Sequence, residues 1–162
     1  MKSFSCVAHR VVFGLLKKEE SAGYSKYELR RNGMVLGACE FPSHMAPKFS
    51  VSVDGSFAVY GGCNAYLVGK GQGMTSFEEQ EEISKIWFLE NMILVECDTL
   101  FVGRSRTGME TQKEYWHTEI ITSCILRDAK TLVFQDLENG VYQMNVEDFL
   151  VVPSEYPFEK LG

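Results

Sequence analysis

The turn dipeptide Asn32-Gly33 constrains the fold of this chain more than any other short feature. It separates two strand-like runs, 24–31 and 34–41, the first of which shows imperfect period-two alternation. Asn and Gly both tolerate the positive φ angles that a two-residue hairpin turn requires. Asp54-Gly55 repeats this arrangement between two further runs. The chain is therefore expected to be mainly β, built from antiparallel hairpins.

Strand-like patterns continue along most of the chain. They cover residues 4–16, 64–68, 99–103, 114–126, 131–135 and 141–146. One helix interrupts this pattern in our prediction, because Ser76 stands three residues before Glu79, which is the spacing of a capping box. Ile83 and Ile86 would share one face of that helix, which we place near residues 77–85. Residues 86–97 can also form a hairpin around Glu90-Asn91.

A loose recurrence of aspartates predicts repeated units. Asp54, Asp98 and Asp128 each precede a strand-like run, at intervals of 44 and 30 residues. Units of ~40–45 residues with four short strands are typical of β-propeller blades. The chain has 162 residues, which suits a single domain over 1–162 with about three or four irregular units. The expectation is a half-β-propeller-like stack of sheets, with a plain meander or open sandwich as the alternative.

Charge is distributed unevenly in the sequence. Residues 75–98 have a net charge of −6 and residues 136–162 a net charge of −5, whereas the rest of the chain has a net charge of +5. Concentrated carboxylates repel nucleic acid and attract basic partners. The chain is therefore expected to bind a basic protein and no nucleic acid, although a solvated surface is the simpler interpretation.

Catalytic and metal-binding patterns are largely missing from the sequence. The three histidines, His9, His44 and His117, are scattered, and no second Cys or His stands at ligand spacing from Cys6 and His9. No nucleophile elbow occurs. Two weaker features remain, namely Cys63 after a Gly-Gly pair and the glycine-rich loop from Gly69 to Gly73. We expect no metal, no cofactor and no enzymatic activity, and we keep an enzyme that uses Cys63 or this loop as an alternative.

The five cysteines are Cys6, Cys39, Cys63, Cys97 and Cys124. Their odd number and even spacing favour buried, reduced thiols over a disulfide framework. The beginning of the chain shows no signal-peptide pattern, and no run approaches the ~20 apolar residues that span a bilayer. These features predict a cytoplasmic protein with no membrane contact.

The hairpins within 49–62, 92–103 and 131–146, together with the acidic segments, resemble the immunity proteins of bacterial contact-dependent growth inhibition systems. One subgroup of these proteins has a half-β-propeller form and neutralises an RNase A-like toxin. The resemblance implies a cytoplasmic inhibitor that forms a one-to-one complex with a basic nuclease domain. No individual functional residue is transferred from that family.

Candidate contact residues for such a partner follow from the charges and aromatics. Concentrated carboxylates can mimic a nucleic-acid backbone, and aromatic residues beside charges are typical interface anchors. The candidate rim contacts are Glu78, Glu79, Glu81, Glu82, Asp136 and Glu138, and the candidate anchors are Tyr115 and Trp116. A non-catalytic adaptor module with an open sheet edge stays a further alternative.

Overall fold

The computed structural model describes residues 3–8, 11–69, 73–155 and 158. These residues form four antiparallel sheets of four strands each, and within every sheet the strands follow chain order. Sheet 1 contains β1 (Ser3–Ala8), β2 (Val11–Ser21), β3 (Tyr24–Arg31) and β4 (Met34–Pro42). Sheet 2 contains β5 (Lys48–Val51), β6 (Phe57–Gly61), β7 (Asn64–Val68) and β8 (Met74–Glu78). Sheet 3 contains β9 (Ile83–Phe88), β10 (Met92–Cys97), β11 (Leu100–Ser105) and β12 (Thr111–Trp116). Sheet 4 contains β13 (Ile121–Leu126), β14 (Thr131–Asp136), β15 (Val141–Asn145) and β16 (Val151–Pro153).

Three apolar layers hold neighbouring sheets together. Phe13 of sheet 1 stacks on Phe57 of sheet 2, with ring centroids 3.9 Å apart. Ile86 and Val95 of sheet 3 belong to the layer that includes Leu67 of sheet 2. In the third layer, Phe101 of sheet 3 contacts Phe134 of sheet 4, with centroids 5.1 Å apart. Successive blade-like sheets packed face to face confirm the expected mainly β, half-propeller-like architecture.

The hairpin at Asn32-Gly33 is confirmed. Asn32 has a φ of 48° and Gly33 a φ of 81°, and Arg31 pairs with Met34 across the turn. Left-handed conformations at both central residues match the right-handed twist of the two strands. The local sequence therefore determines this turn.

The predicted helix near 77–85 is wrong. Residues 74–78 form β8, residues 83–88 form β9, and 79–82 connect sheet 2 to sheet 3. Ile83 and Ile86 are both buried, although they are three residues apart, because the register between β9 and β10 shifts at Ser84. A β-bulge thus places two helix-spaced residues on one face of a strand.

Two strand predictions were also wrong in their extent. The run 114–126 is divided between β12 and β13, which belong to different sheets, with the connection 117–120 between them. The run 4–16 is divided between β1 and β2, and β2 continues beyond it through charged residues as far as Ser21. Among the described residues there is no helix, and so none long and apolar enough to cross a membrane.

Candidate functional site: an acidic loop face

Seven connections meet at one end of the stack of sheets. In each sheet, the turn between its second and third strands lies at the same end as the connection that leads to the next sheet, because neighbouring strands are antiparallel. We call this end the acidic loop face. It comprises residues 22–23, 43–47, 62–63, 79–82, 98–99, 117–120 and 137–140.

Hydrogen bonds join these connections into a continuous surface. The Glu79 amide donates to the Cys63 carbonyl at 2.8 Å, and the Thr99 amide donates to a Glu81 carboxylate oxygen at 2.8 Å. On the far side of Thr99, its carbonyl accepts from the His117 amide at 2.7 Å. The Leu137 amide donates to the Ile120 carbonyl at 2.9 Å. Carboxylates from both acidic segments of the sequence therefore lie at this end of the molecule.

The connections of the acidic loop face contain acidic residues without any lysine or arginine. Its seven connections contain six acids and no lysine or arginine; the acids are Glu79, Glu81, Glu82, Asp98, Glu119 and Glu138. The described connections at the opposite end mix both signs. They contain three basic residues, Arg106, Arg127 and Lys130, and six acids, Asp54, Glu90, Glu110, Asp128, Glu147 and Asp148. The two ends thus have equal numbers of acids in these connections, and the acidic loop face differs in having no lysine or arginine among them.

Glu79 is buried and is not a rim contact as predicted. Its side chain is 3% exposed and forms an ion pair with Arg104, whose guanidinium also donates to the Gly108 carbonyl. Burial raises the pKa of the Glu79 carboxyl, although Arg104 acts in the opposite direction. A carboxylate held this way is paired inside the fold and is not available to a partner.

Glu81 also has an internal role. Its two carboxylate oxygens accept hydrogen bonds from the amide and hydroxyl of Thr99, at 2.8 and 2.7 Å. Glu78 and Glu82, in contrast, are exposed. Of the four adjacent glutamates, these two can meet a partner directly.

Asp136 is also not a rim contact as predicted, because it is only 3% exposed. Its Oδ2 lies 2.9 Å from His117 Nε2, and its Oδ1 accepts from the amides of Glu138 and Gly140. Burial alone would raise the pKa of Asp136, but these hydrogen bonds outweigh it and lower the pKa. The neighbouring Glu138 is exposed and stays a candidate contact.

Tyr115 belongs to this same buried network. Its hydroxyl lies 2.9 Å from His117 Nδ1, so Tyr115, His117 and Asp136 form a chain of hydrogen bonds between sheets 3 and 4. The sequence alone does not indicate that these three side chains are in contact, because their contact depends on how sheets 3 and 4 pack together. Tyr115 is therefore a positioning residue here, and the sequence prediction missed the role of His117.

Trp116 remains a candidate interface anchor. Its side chain is 48% exposed, and Nε1 donates to Glu114 at 3.4 Å. Ile120 is 48% exposed and Leu137 60% exposed, and their backbones are hydrogen-bonded to each other. The acidic loop face thus carries large exposed apolar side chains among its carboxylates.

The environment of Cys63 does not favour a nucleophile. Burial raises the pKa of this thiol, and the carboxylates of Glu78, Glu82 and Asp98 raise it further. Nucleophilic cysteines need the opposite, a positive environment that stabilises the thiolate. Residues 70–72 of the glycine-rich loop lie outside the described residues, as do His9 and the side chain of Cys6. In the described part of the chain, no three His, Cys, Asp or Glu side chains are grouped to hold a metal ion.

Comparison with known proteins shows similarity of fold only. No protein-family model matches the chain, and no curated protein matches it. Two similar solved structures are crystals of BBS1N in complex with ARL6DN, soaked with lead or with mercury, at 13% and 15% identity and TM-scores of 0.53 and 0.54. The matches cover 90% and 96% of this chain but 50% and 52% of the BBS1N chain. A third structure, Kluyvelomyces marxianus Hsv2, has 10% identity and a TM-score of 0.43, with 88% of this chain and 60% of that chain covered. The chain therefore spans about half the length of the BBS1N chains that it resembles in fold.

Proposed function

We propose that the chain is an immunity protein that binds the basic domain of a toxin, of the ribonuclease class, and covers its active site with the acidic loop face. The observation that carries this proposal is one end of the molecule whose connections bring together carboxylates from two acidic segments, far apart in sequence, and contain no lysine or arginine. Ribonucleases bind phosphate and are basic around their active sites. A surface of carboxylates is complementary to that charge.

The exposed apolar residues supply the short-range part of the contact. Ile120 and Leu137 lie on the acidic loop face and Trp116 ends strand β12 directly beside it, and tryptophan is enriched at the centres of protein interfaces. Glu82, Asp98 and Glu138 are exposed on the same face. Carboxylates speed the encounter with a basic partner, towards ~10⁸ M⁻¹s⁻¹ at low salt, and apolar anchors slow its dissociation.

The fold and the sequence resemblance support the same class of function. Half-β-propeller immunity proteins bind toxins as one-to-one inhibitors, and the present chain has consecutive blade-like sheets. The BBS1N structures, which have a similar fold, are complexes with another protein, ARL6DN. A protein that contains a similar fold can thus bind another protein, which supports the mode of action proposed here.

The test is protection of bacterial growth. Ribonuclease-type toxin domains from contact-dependent inhibition systems are expressed one at a time with this chain, and growth and RNA integrity are measured. At least one toxin domain should be neutralised by the wild-type chain. The variant Glu82→Lys/Glu138→Lys should lose protection and bind that domain about a hundredfold more weakly in calorimetry.

A matched reversal at the opposite end is the control. Glu90→Lys/Glu110→Lys changes the same number of exposed charges in the connections 89–91 and 106–110. This variant should protect as well as the wild type. If both variants protect equally, or if no toxin domain of the panel is neutralised, the proposed function is wrong.

A further inference from the structure

A cleft of about 480 Å³ lies between sheets 3 and 4, at the end of the molecule opposite the acidic loop face. Its lining includes the turn 89–91 of sheet 3 and residues 129–130 of the first turn of sheet 4. Small-molecule sites in proteins typically have volumes of ~300–1,000 Å³. The cleft is therefore large enough to hold a small organic ligand.

The walls of this cleft are aliphatic on both sides. Met92 and Val146 are buried members of the apolar layer between sheets 3 and 4, and Leu89 and Leu126 pack against that layer and are half-buried. All four residues line the cleft. Because they belong to one layer, their side chains border the same space, and Met92 can adapt its flexible thioether chain to a ligand. The interior of the cleft thus suits an alkyl group.

Lys113 adds a positive charge on the same side of sheet 3. It pairs with Gly103 across strands β11 and β12, and Gly103 pairs with Leu94, which is buried in the layer between sheets 3 and 4. Residues that are directly opposite each other in an antiparallel sheet share one face. The Lys113 side chain therefore leaves sheet 3 on the side of sheet 4, where it lines the cleft.

The ammonium group of Lys113 has no internal counter-ion. Lys113 is half-buried, and it takes part in none of the ion pairs between described residues. The other charged residues of the lining, Glu90, Lys130 and Glu147, are exposed, and Lys130 Nζ lies 3.5 Å from Glu147 Oε1. Water and salt screen exposed charges more than partly buried ones. Lys113 therefore determines the sign of charge that the cleft prefers.

We propose that this cleft binds a small carboxylic acid with an apolar tail. The carboxylate pairs with Lys113, and the tail lies between the aliphatic walls. Burial of the tail supplies affinity, by about fourfold for each methylene group, and the ion pair selects the charged group of the ligand. The cleft and the acidic loop face are at opposite ends of the molecule, so this inference does not depend on the proposed function.

The probes are octanoate, octanol and octylammonium, titrated into the full chain with ¹³C in its methionine methyl groups. Octanoate should shift the NMR signal of Met92 and bind with a Kd of about 1 mM or below. Octanol has the same tail without the charge and should bind about fivefold more weakly, and octylammonium should bind more weakly still because Lys113 repels it. An unchanged Met92 signal, or equal binding of the three probes, would overturn the inference.

The length of the tail is a second measurement on the unmodified protein. Butanoate carries the same carboxylate with a shorter tail, so it should bind about a hundredfold more weakly than octanoate. Equal affinities would mean that only the charge is recognised, and the inference would be wrong.

A substitution at Lys113 locates the charge effect. Lys113→Met keeps an aliphatic chain of similar length and removes the ammonium group. It should weaken octanoate about fivefold and leave octanol unchanged, so that the preference for the carboxylate disappears. Lys18→Met, at an exposed lysine of sheet 1 that does not line the cleft, is the matched control and should bind octanoate as the wild type does. The inference fails if the two variants bind octanoate equally well.

Discussion

Nε2 of His117 lies 2.9 Å from Oδ2 of Asp136, and both side chains are only 4% exposed. The contact ties the connection between sheets 3 and 4 to strand β14. The other imidazole nitrogen of His117, Nδ1, is hydrogen-bonded to the Tyr115 hydroxyl, and the His117 ring packs edge-on against Phe134 and Tyr142. This network holds one half of the acidic loop face in position.

Replacement of Asp136 by alanine should destabilise the protein strongly. The change leaves the buried imidazole and the amides of Glu138 and Gly140 without their acceptor. Loss of such a network costs about 3 kcal/mol in the free energy of unfolding, measured with urea. Glu138→Ala, an exposed neighbour, should stay within about 0.5 kcal/mol of the wild type. A small effect of Asp136→Ala would contradict the structural role.

Stability should depend strongly on Glu79 and hardly at all on Glu82 when each is replaced by alanine. Glu79→Ala removes the partner of the buried Arg104 and is expected to lower the free energy of unfolding by about 3 kcal/mol. Glu82→Ala removes an exposed carboxylate and should leave stability nearly unchanged. Thermal unfolding followed by circular dichroism compares the two directly. Equal effects would mean that the pair with Arg104 is not formed.

Glu96 should make the protein less stable as the pH rises. Burial raises the pKa of its carboxyl above the ordinary 4.5, by more than the nearby Lys85 and Lys48 lower it. Between the two pKa values, the native state therefore holds a proton that the unfolded state has lost. The contribution of the Glu96 carboxyl to stability is complete below pH ~4.5 and is lost as the pH rises through the native pKa. Glu96→Gln imitates the protonated form, so it should raise Tm by ~2–4 °C at pH 8 and have no such effect at pH 4.

The exposed carboxyl of Glu90 is the control for this pH effect. Glu90→Gln should change Tm by the same small amount at both pH values. A pH-independent effect of Glu96→Gln would show that packing, and not ionisation, decides its stability.

Cys63 should react slowly with iodoacetamide at pH 7.5. Burial and the nearby carboxylates raise the pKa of its thiol and disfavour the reactive thiolate. Mass spectrometry should show a rate at least about tenfold below that of glutathione, and Glu78→Gln/Glu82→Gln should increase it. Cys39, whose pKa burial raises to about 12, should stay unmodified until the protein unfolds. Rapid labelling of Cys63 in the wild type would instead favour a catalytic thiol.

The hairpins could be predicted because their determinants are local. Asn32 and Gly33 adopt the left-handed conformations that few other residue pairs tolerate, and the runs beside them need no distant contact to be recognised as strands. Ile83 and Ile86 show where this reasoning fails. Their spacing fits a helix equally well, and only the bulge against β10 makes them neighbours on a strand.

The candidate site, like the fold, could be predicted from the sequence only in part. The sequence by itself determined that this chain would form antiparallel β structure and carry two acidic segments, because turn propensity and charge are properties of single residues and short runs. Only the tertiary structure decided that carboxylates of both segments meet on one face, that Glu79 and Asp136 point inward to Arg104 and His117, and that Glu82 and Glu138 remain exposed. The reason is physical: whether a carboxylate meets solvent, a cation or a partner depends on which distant strand packs beside it.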